Sequence, residues 1–201
     1  VRVYPLARPP AGLDVDYDAR LFPRFSSGLV GRRVVLVAID RSGSNDGFAL
    51  KLSQLAAKQV IRSLSDSDLV AALTFSDAVT FLGCGRFVPA TPGTIAQLEA
   101  DIDAVKAGDR VDWDVALAAS FDMFNQGRAN NQFTPGATSL MFVFSDGAEN
   151  AIMPDSSSFA ALNPDAAVRV FAYRTGTLTS EGYDGLKRLA CDNGGVLVFF
   201  F

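Results

Sequence analysis

Uninterrupted apolar runs recur along the sequence and predict a series of buried strands. Residues 34–39 are all apolar and largely β-branched, as is typical of a strand buried on both faces of a parallel sheet. The run at 78–82 follows another run through only Ser76 and Asp77, so we expect it to be an edge hairpin partner. The strands predicted after the first lie at residues 69–75, 78–82, 139–145, 168–173 and 196–201.

Between these runs, apolar residues repeat every three or four positions, which predicts helices with one core-facing side. The first helix covers about residues 46–64, and the last covers about residues 181–190. The core-facing positions predicted for the first helix are Leu52, Leu55, Ala56, Val60 and Leu64.

Capping residues and glycines mark two further helices in the middle of the chain. Thr94 with Gln97 predicts a capping box at the start of a helix that ends at Gly108. The next helix begins near Asp112 and ends before Gly127. The inner faces of these two helices are predicted to carry Ile95, Leu98, Ile102 and Val105, and then Leu117, Phe121 and Phe124.

Strands that alternate with helices predict an α/β fold with a doubly wound, mostly parallel central sheet of about six strands and helices on both faces. Residues 1–30 differ, because Arg, Pro, Gly and single aromatics are scattered there without a sustained period. We expect an extended lead-in over 1–30 and one domain over 31–201. For the first dozen residues, a disordered tail is the alternative.

The composition excludes several classes of function. The sequence has no histidine, which removes Ser-His-Asp and Cys-His catalysis and imidazole-bound zinc. No Gly-rich phosphate loop and no Gly-x-Ser-x-Gly elbow is present, so we predict that the chain is not an enzyme. The net charge of −4 argues against a nucleic-acid partner. No apolar run approaches the roughly 18–20 residues of a membrane span.

Acidic and hydroxyl side chains follow two of the predicted strands. Asp40 ends the first apolar run and is followed by Ser42 and Ser44, and Asp146 ends the run at 139–145. If these two strands are neighbours, both carboxylates meet at the carboxyl edge of the sheet, where ligand sites of open α/β sheets lie. Convergent oxygen groups suit a hard divalent cation, Mg²⁺ or Ca²⁺. The alternative is a plain strand followed by a Ser/Gly turn.

The motifs Asp40-Arg41-Ser42-Gly43-Ser44 and Ser145-Asp146-Gly147 together resemble the metal-ion-dependent adhesion site of von Willebrand factor A domains. The resemblance covers about residues 31–201. Within that superfamily, further segments are similar to the alpha-2-delta auxiliary subunits of voltage-gated calcium channels. Those segments are residues 17–20, 64–70, 112–113, 127–130, 145–149 and 190–195.

The resemblance implies a set of metal ligands, carried over position by position. Asp40, Ser42 and Ser44 match the first metal-binding loop, and Asp146 matches the aspartate of the last loop. The family places a threonine just before an Asp-Tyr pair; Asp112-Trp113 fits the pair, but Val111 stands in the threonine position and offers no side-chain oxygen. Asp109 or Asp112 is the possible substitute ligand.

The resemblance also implies features outside the metal loops. Residues 1–30 would lead out of a preceding Cache-like domain. The arginine-rich run associated with amino-acid or drug binding is reduced here to Arg20, so we predict no such ligand. Cys191 matches a cysteine that bridges two processed pieces in the family, whereas the expected partner of Cys84 is absent. From the residues alone, the two cysteines could pair with each other, bond to other chains or stay free.

Two functions follow from the resemblance. The first is a non-catalytic extracellular protein-interaction domain, part of an alpha-2-delta-like auxiliary subunit at the cell surface. Its protein partner, which the resemblance implies is a membrane channel subunit, supplies an acidic side chain to the metal. The second is a structural or adhesive component of an extracellular assembly that uses the fold as a packing module, which Val111 favours because a packing module tolerates a damaged metal site.

Overall fold

The apolar runs form one sheet in a computed structural model that describes residues 31–108, 110–147, 156–175 and 180–199. Over these residues the sheet has seven strands, six of them in the order β3-β2-β1-β5-β6-β7, with β4 paired to β2. The strands are β1 Arg33–Asp40, β2 Leu69–Phe75, β3 Val79–Leu82, β4 Val88–Pro89, β5 Thr138–Ser145, β6 Val168–Arg174 and β7 Leu197–Phe199.

β1 lies between β2 and β5 and is parallel to both. Ile39 pairs with Thr74 on one side and with Phe144 on the other. β6 and β7 continue the parallel order, whereas β3 and β4 are antiparallel to β2. From β1 the strand order runs both ways across the sheet, to β2 and β3 on one side and to β5, β6 and β7 on the other. The carboxyl ends of β1 and β5 therefore lie side by side, as predicted.

Helices cover both faces of the sheet, which confirms the predicted doubly wound fold. Alternate residues of β1 point to opposite sides: Val35, Val37 and Ile39 pack with α1 and α2, whereas Val34, Leu36 and Ala38 pack in the core with α3, α4 and α5. The helices are α1 Phe48–Arg62, α2 Pro92–Asp103, α3 Trp113–Ala129, α4 Ser156–Leu162 and α5 Ser180–Asp192. No helix of the described residues is long and apolar enough to cross a membrane.

The predicted core face of α1 is displaced from the observed one. Leu55 is 57% exposed, and the other predicted positions are only partly buried. The buried positions are spaced by three and four residues but include small and polar side chains, which an apolar count overlooks. They are Ala49, Leu50, Ser53, Ala57 and Ile61.

Three predicted helix ends were wrong. α2 begins at Pro92, with Thr91 as the N-cap whose hydroxyl accepts the Thr94 amide at 3.2 Å, so Thr94 is inside the helix and does not cap it. α2 also ends at Asp103, before Gly108. α3 begins after its cap Asp112 as predicted but continues past Gly127 to Ala129. The glycine serves packing instead, because a Cβ at that position would lie 2.3 Å from the Phe133 ring.

α4 and β4 are elements that the sequence did not indicate. α4 contains three serines and one fully buried aromatic, Phe159, and thus lacks a helical stripe. β4 consists of only two residues, one of them a proline, so it lacks the apolar run from which strands were predicted. Residues 1–30 and 200–201 lie outside the described part of the chain, so the lead-in remains a prediction. Cys84 and Cys191 are exposed free thiols.

One buried acid joins the start of β1 to the turn before β2. The Asp68 carboxylate accepts bonds from the Arg33 amide at 3.0 Å, from the Arg33 guanidinium at 3.1 and 2.5 Å, and from the Ser65 amide at 2.8 Å. Burial acts to raise the pKa of Asp68, but the bonds from Arg33 and Ser65 outweigh it and lower that pKa to about 2. Asp68 is therefore a stabilising carboxylate in its ionised form.

We expect Asp68→Asn to lower the free energy of unfolding at pH 7 by about 2 kcal/mol, because a depressed folded-state pKa adds stability above the unfolded-state value. The difference from wild type should shrink as the pH falls from about 4 towards 2. Urea unfolding across this range measures it. Asp66→Asn, at an exposed position of the same turn, is the control and should change the free energy of unfolding by less than about 0.5 kcal/mol. Equal effects from both variants would contradict the role of Asp68.

Candidate functional site

The last residue of β1, Asp40, is a fully buried carboxylate. Its Oδ1 accepts the Ser42 amide at 2.8 Å, which turns the chain back immediately after the strand. Its Oδ2 accepts the hydroxyl of Ser145, the last residue of β5, at 2.5 Å. The Ser145 hydroxyl in turn accepts the Gly147 amide at 3.0 Å. The two strand tips are thus bonded to each other through Asp40.

The loop after Asp40 brings two hydroxyls together. Gly43–Asn45 forms a single 3-10 turn, closed by the Asn45 amide donating to the Ser42 carbonyl at 2.9 Å. The turn places the hydroxyl oxygens of Ser42 and Ser44 3.1 Å apart. Ser42 is buried and Ser44 is exposed, so this pair of oxygens spans the boundary between the protein interior and solvent.

Asp146 contributes a second negative charge beside Asp40. Burial raises the pKa of Asp40 to about 6, and the charge of the half-buried Asp146 adds to that rise, although hydrogen bonds from Ser145 and Ser42 oppose it. None of the ion pairs between described residues involves Asp40. A buried carboxylate without a basic partner and close to a second acid is costly to ionise, and a cation between the two acids would relieve that cost.

The predicted substitute ligands precede α3 in the sequence, whereas Ser42 and Ser44 follow β1. Val111 is half-buried and packs against the hydrophobic core. Asp112 is exposed and caps α3, with its Oδ1 accepting the Val115 amide at 3.1 Å, so one of its oxygens is already engaged. The Asp112 amide donates to the Ser76 carbonyl at 2.8 Å, which holds this loop over the end of β2. Asp109 lies outside the described residues.

The four donors that the structure brings to this edge of the sheet fit a hard cation. Asp40, Ser42, Ser44 and Asp146 offer only oxygen, which Mg²⁺ and Ca²⁺ prefer. Nowhere in the described ranges do three or more Asp, Glu, Cys or His residues cluster, so a cation here would depend on the hydroxyls as well as the acids. Four protein oxygens leave about two positions of an octahedral Mg²⁺ for water or for a partner.

Sequence reasoning missed several side chains that hold this loop. Ser145 was noted as part of a motif, but its hydroxyl bond to Asp40 was not predicted, because 105 residues separate the two. The side-chain Nδ2 of Asn45 donates a hydrogen bond to the Asp40 carbonyl at 2.5 Å. Thr175, just after β6, contacts Asn45 from 130 residues away. A single serine, asparagine or threonine after a strand has no pattern that would identify it.

Comparison with known families and proteins finds matches over most of the chain. The von Willebrand factor type A domain matches residues 35–201. Over 200 residues, covering 96% of the chain, the sequence is 27% identical to the voltage-dependent calcium channel subunit alpha-2/delta-2 of Mus musculus. It is 24% identical over 190 residues, or 90% of the chain, to the alpha-2/delta-3 subunit of the same organism. The chain spans only 16% of the length of each of these relatives.

Solved structures share the fold at lower sequence identity. A von Willebrand factor type A protein from Catenulispora acidiphila superposes with a TM-score of 0.70 at 17% identity, over 85% of this chain and 39% of that one. An aerotolerance-related membrane protein from Bacteroides fragilis gives a TM-score of 0.62 at 13% identity, over 84% of this chain and 92% of that one. At these identities the likeness concerns the fold alone.

Proposed function

Because the chain belongs to the von Willebrand factor type A domain family, we propose that it is a non-catalytic protein-interaction domain with a metal-ion-dependent adhesion site. The proposed ligands are Asp40, Ser42, Ser44 and Asp146. One observation carries the proposal: a fully buried aspartate at the tip of β1 lies beside a second acid at the tip of β5 and next to two hydroxyls 3.1 Å apart.

Each residue has a distinct part in this site. When bound, Mg²⁺ or Ca²⁺ would supply positive charge and open coordination positions for a carboxylate of the partner. Asp40 and Asp146 supply the negative charge that attracts the cation, and Ser145 and the Ser42 amide hold the Asp40 carboxylate in place. Exposed Ser44 marks the side from which a partner's acidic side chain would approach. A charge-assisted contact of this kind fixes the orientation of a partner and makes binding cation-dependent.

The relatives suggest where such a domain works. Two of them are named voltage-dependent calcium channel subunits, so we propose a membrane channel subunit as the partner and the extracellular side of the membrane as the location. The chain covers 16% of those relatives, and the larger assembly is therefore proposed by similarity. We propose no catalytic role, since the sequence has no histidine, no Gly-rich phosphate loop and no Gly-x-Ser-x-Gly elbow.

A second function is favoured by one observation. Val111 stands where the family has a threonine ligand, and it packs against the core. Asp112 beside it has one oxygen engaged as a helix cap. A domain that serves only as a packing module in an extracellular assembly would need no cation, and a reduced ligand set would be tolerated there.

Calorimetric titration of the chain with MgCl₂ and with CaCl₂ tests the site. Wild type is expected to bind one cation, and Asp40→Ala should weaken that binding by at least about 100-fold, because it removes a central charged oxygen ligand. Asp122→Ala removes an exposed acid on α3 and should keep the wild-type affinity. If wild type and Asp40→Ala are equally silent, the cation site is refuted and the packing module remains.

A carboxylate probe tests the interaction itself. Sodium acetate, added to protein in Mg²⁺, is expected to shift the NMR signals of the Ser42 and Ser44 amides, because its carboxylate occupies an open coordination position. The same titration in EDTA should leave those signals unchanged. Shifts of equal size with and without Mg²⁺ would show that any carboxylate contact is independent of the cation.

A further inference from the structure

Three polar side chains lie fully buried beneath the loop that carries Ser42 and Ser44. They come from three parts of the fold: Asn45 from the 3-10 turn, Ser53 from α1, and Thr175 from the position immediately after β6. Buried polar groups of this kind are retained only where each finds a hydrogen-bond partner. None of the three is a proposed ligand of the cation.

These side chains form a continuous chain of contacts that ends on Asp40. The Ser53 and Thr175 hydroxyl oxygens are 2.9 Å apart. The Thr175 hydroxyl is 3.2 Å from Asn45 Oδ1, and Asn45 Nδ2 donates to the Asp40 carbonyl at 2.5 Å. A helix, a strand end and the cation loop are therefore connected through side chains alone.

Counting protons fixes the direction of the bonds. Ser53 and Thr175 have one hydroxyl proton each, but four acceptor oxygens are within reach: Asn45 Oδ1, the Ala49 carbonyl at 3.0 Å from Ser53, and the two hydroxyl oxygens. The Ala49 carbonyl lies inside α1, where it accepts the helical amide four residues on. Asn45 Oδ1 is buried, so it depends on the Thr175 proton. Both carbonyl oxygens have a donor, and the two hydroxyls are bonded to each other, when Ser53 donates to Thr175 and Thr175 donates to Asn45.

A second connection runs from Thr175 to Asp40 through the backbone. The Thr175 amide donates to the Ser145 carbonyl at 3.0 Å, and the Ser145 hydroxyl donates to the Asp40 carboxylate. Thr175 thus reaches the Asp40 carbonyl through its side chain and the Asp40 carboxylate through its amide. Loss of its hydroxyl bond leaves the Asn45 side chain held by its bond to the Asp40 carbonyl, so the turn that carries Ser44 is fixed less firmly.

We propose that Thr175 is a positioning residue of the cation site, which fixes the Ser42–Ser44 hydroxyl pair through Asn45 and is oriented by Ser53. This inference rests on the proposed cation site for its affinity readout. The position of the turn, however, can be measured without any cation. The proposal therefore predicts an effect on loop order in EDTA and a separate effect on Mg²⁺ affinity.

Three variants test the proposal, in the full chain. Thr175→Val keeps the shape and removes the donor, and it should weaken Mg²⁺ binding by about 10-fold or more, as loss of a supporting hydrogen bond around a metal site does. Thr175→Ser keeps the donor and should stay within about twofold of wild type. Ser53→Ala keeps the hydrogen bond from Thr175 to Asn45 and should weaken Mg²⁺ binding by about threefold or less. Affinity is measured by calorimetry and stability by urea unfolding in EDTA.

The outcomes separate positioning from plain stability. If Thr175→Val lowers stability in EDTA but keeps the wild-type Mg²⁺ affinity, the proposal is overturned. If wild type itself does not bind Mg²⁺, the proposed function fails. Hydrogen exchange of the Asn45 backbone amide in EDTA then decides this inference. Faster exchange in Thr175→Val than in Thr175→Ser supports positioning of the turn, and equal exchange overturns it. Thr175→Cys, with a weak donor of similar size, takes the place of Thr175→Val if that variant does not fold.

Discussion

Gly195→Ala is expected to prevent stable folding or to lower the free energy of unfolding by more than about 4 kcal/mol. A Cβ at this position would lie 1.9 Å from the Val170 carbonyl oxygen and 2.6 Å from its carbonyl carbon. Both atoms belong to the backbone of β6, which is bonded to β5 on one side and β7 on the other. A backbone inside a sheet has little room to move aside, so the steric conflict is not relieved cheaply.

The close packing of Gly195 against β6 also concerns the site, because Thr175 immediately follows β6. Gly93→Ala is the matched control: Gly93 lies in the first turn of α2 with nothing within 4 Å of the added Cβ. That change should raise the free energy of unfolding by up to about 1 kcal/mol. Urea unfolding of both variants measures the difference. Near-equal stabilities of the two variants would contradict the close packing of β6 against Gly195.

In the cation-free protein, Asp40→Asn is expected to raise the free energy of unfolding at pH 8 by up to about 3 kcal/mol. The reason is the burial of Asp40, which raises its pKa from 3.8 to about 6. Above pH 6 the carboxylate is ionised in both the folded and unfolded states, and the folded state holds that charge at a cost. Below the unfolded-state pKa both states are protonated and the cost disappears.

Because the pKa of Asp40 is raised in the folded state, the stability of the protein should depend on pH in a specific way. Wild-type protein in EDTA should gain stability from Asp40 as the pH falls from about 6 to about 4, and Asp40→Asn should lose that part of the pH dependence. Urea unfolding in EDTA at several pH values between 4 and 8 measures both profiles. A stability of Asp40→Asn below wild type at pH 8 would contradict the reading of Asp40 as a costly buried charge. Addition of Mg²⁺ should reverse the order, since only wild type gains from binding.

The first strand and the acid at its tip could be predicted from sequence because the signal is local. Residues 34–39 are uniformly apolar, and the strand Arg33–Asp40 ends on the predicted aspartate. The pairing of β1 with β5 was a condition of the predicted site: alternation of strands and helices indicates parallel strands, and the structure makes these two neighbours. The proximity of Asp40 and Asp146 is a consequence of that topology.

Predictions that depend on side-chain packing were less successful. The core face of α1 was displaced because Ser53, a polar residue, is fully buried there in contact with the Thr175 hydroxyl, whereas apolar Leu55 is exposed. Gly127 predicts a helix end but lies within α3, where the absence of a side chain leaves room for the Phe133 ring. In both cases tertiary contacts overrode a local rule.

The polar support of the site was beyond sequence reasoning for a different reason. Ser145 and Thr175 act on Asp40 and Asn45 from positions 105 and 130 residues away. Each is one hydroxyl residue among many, and only the sheet order places it near the loop. A single sequence can identify the charged ends of strands, but it does not show which uncharged side chains hold them.

The most direct measurement is an anomalous difference map from crystals of the chain grown with MnCl₂, since Mn²⁺ accepts the oxygen ligands that suit Mg²⁺. The proposed site predicts one peak about 2–2.6 Å from the hydroxyl oxygens of Ser42 and Ser44, at the adjoining tips of β1 and β5. Absence of a peak there at saturating Mn²⁺, or a peak only at other carboxylates, would contradict the cation site and leave the fold as a packing module.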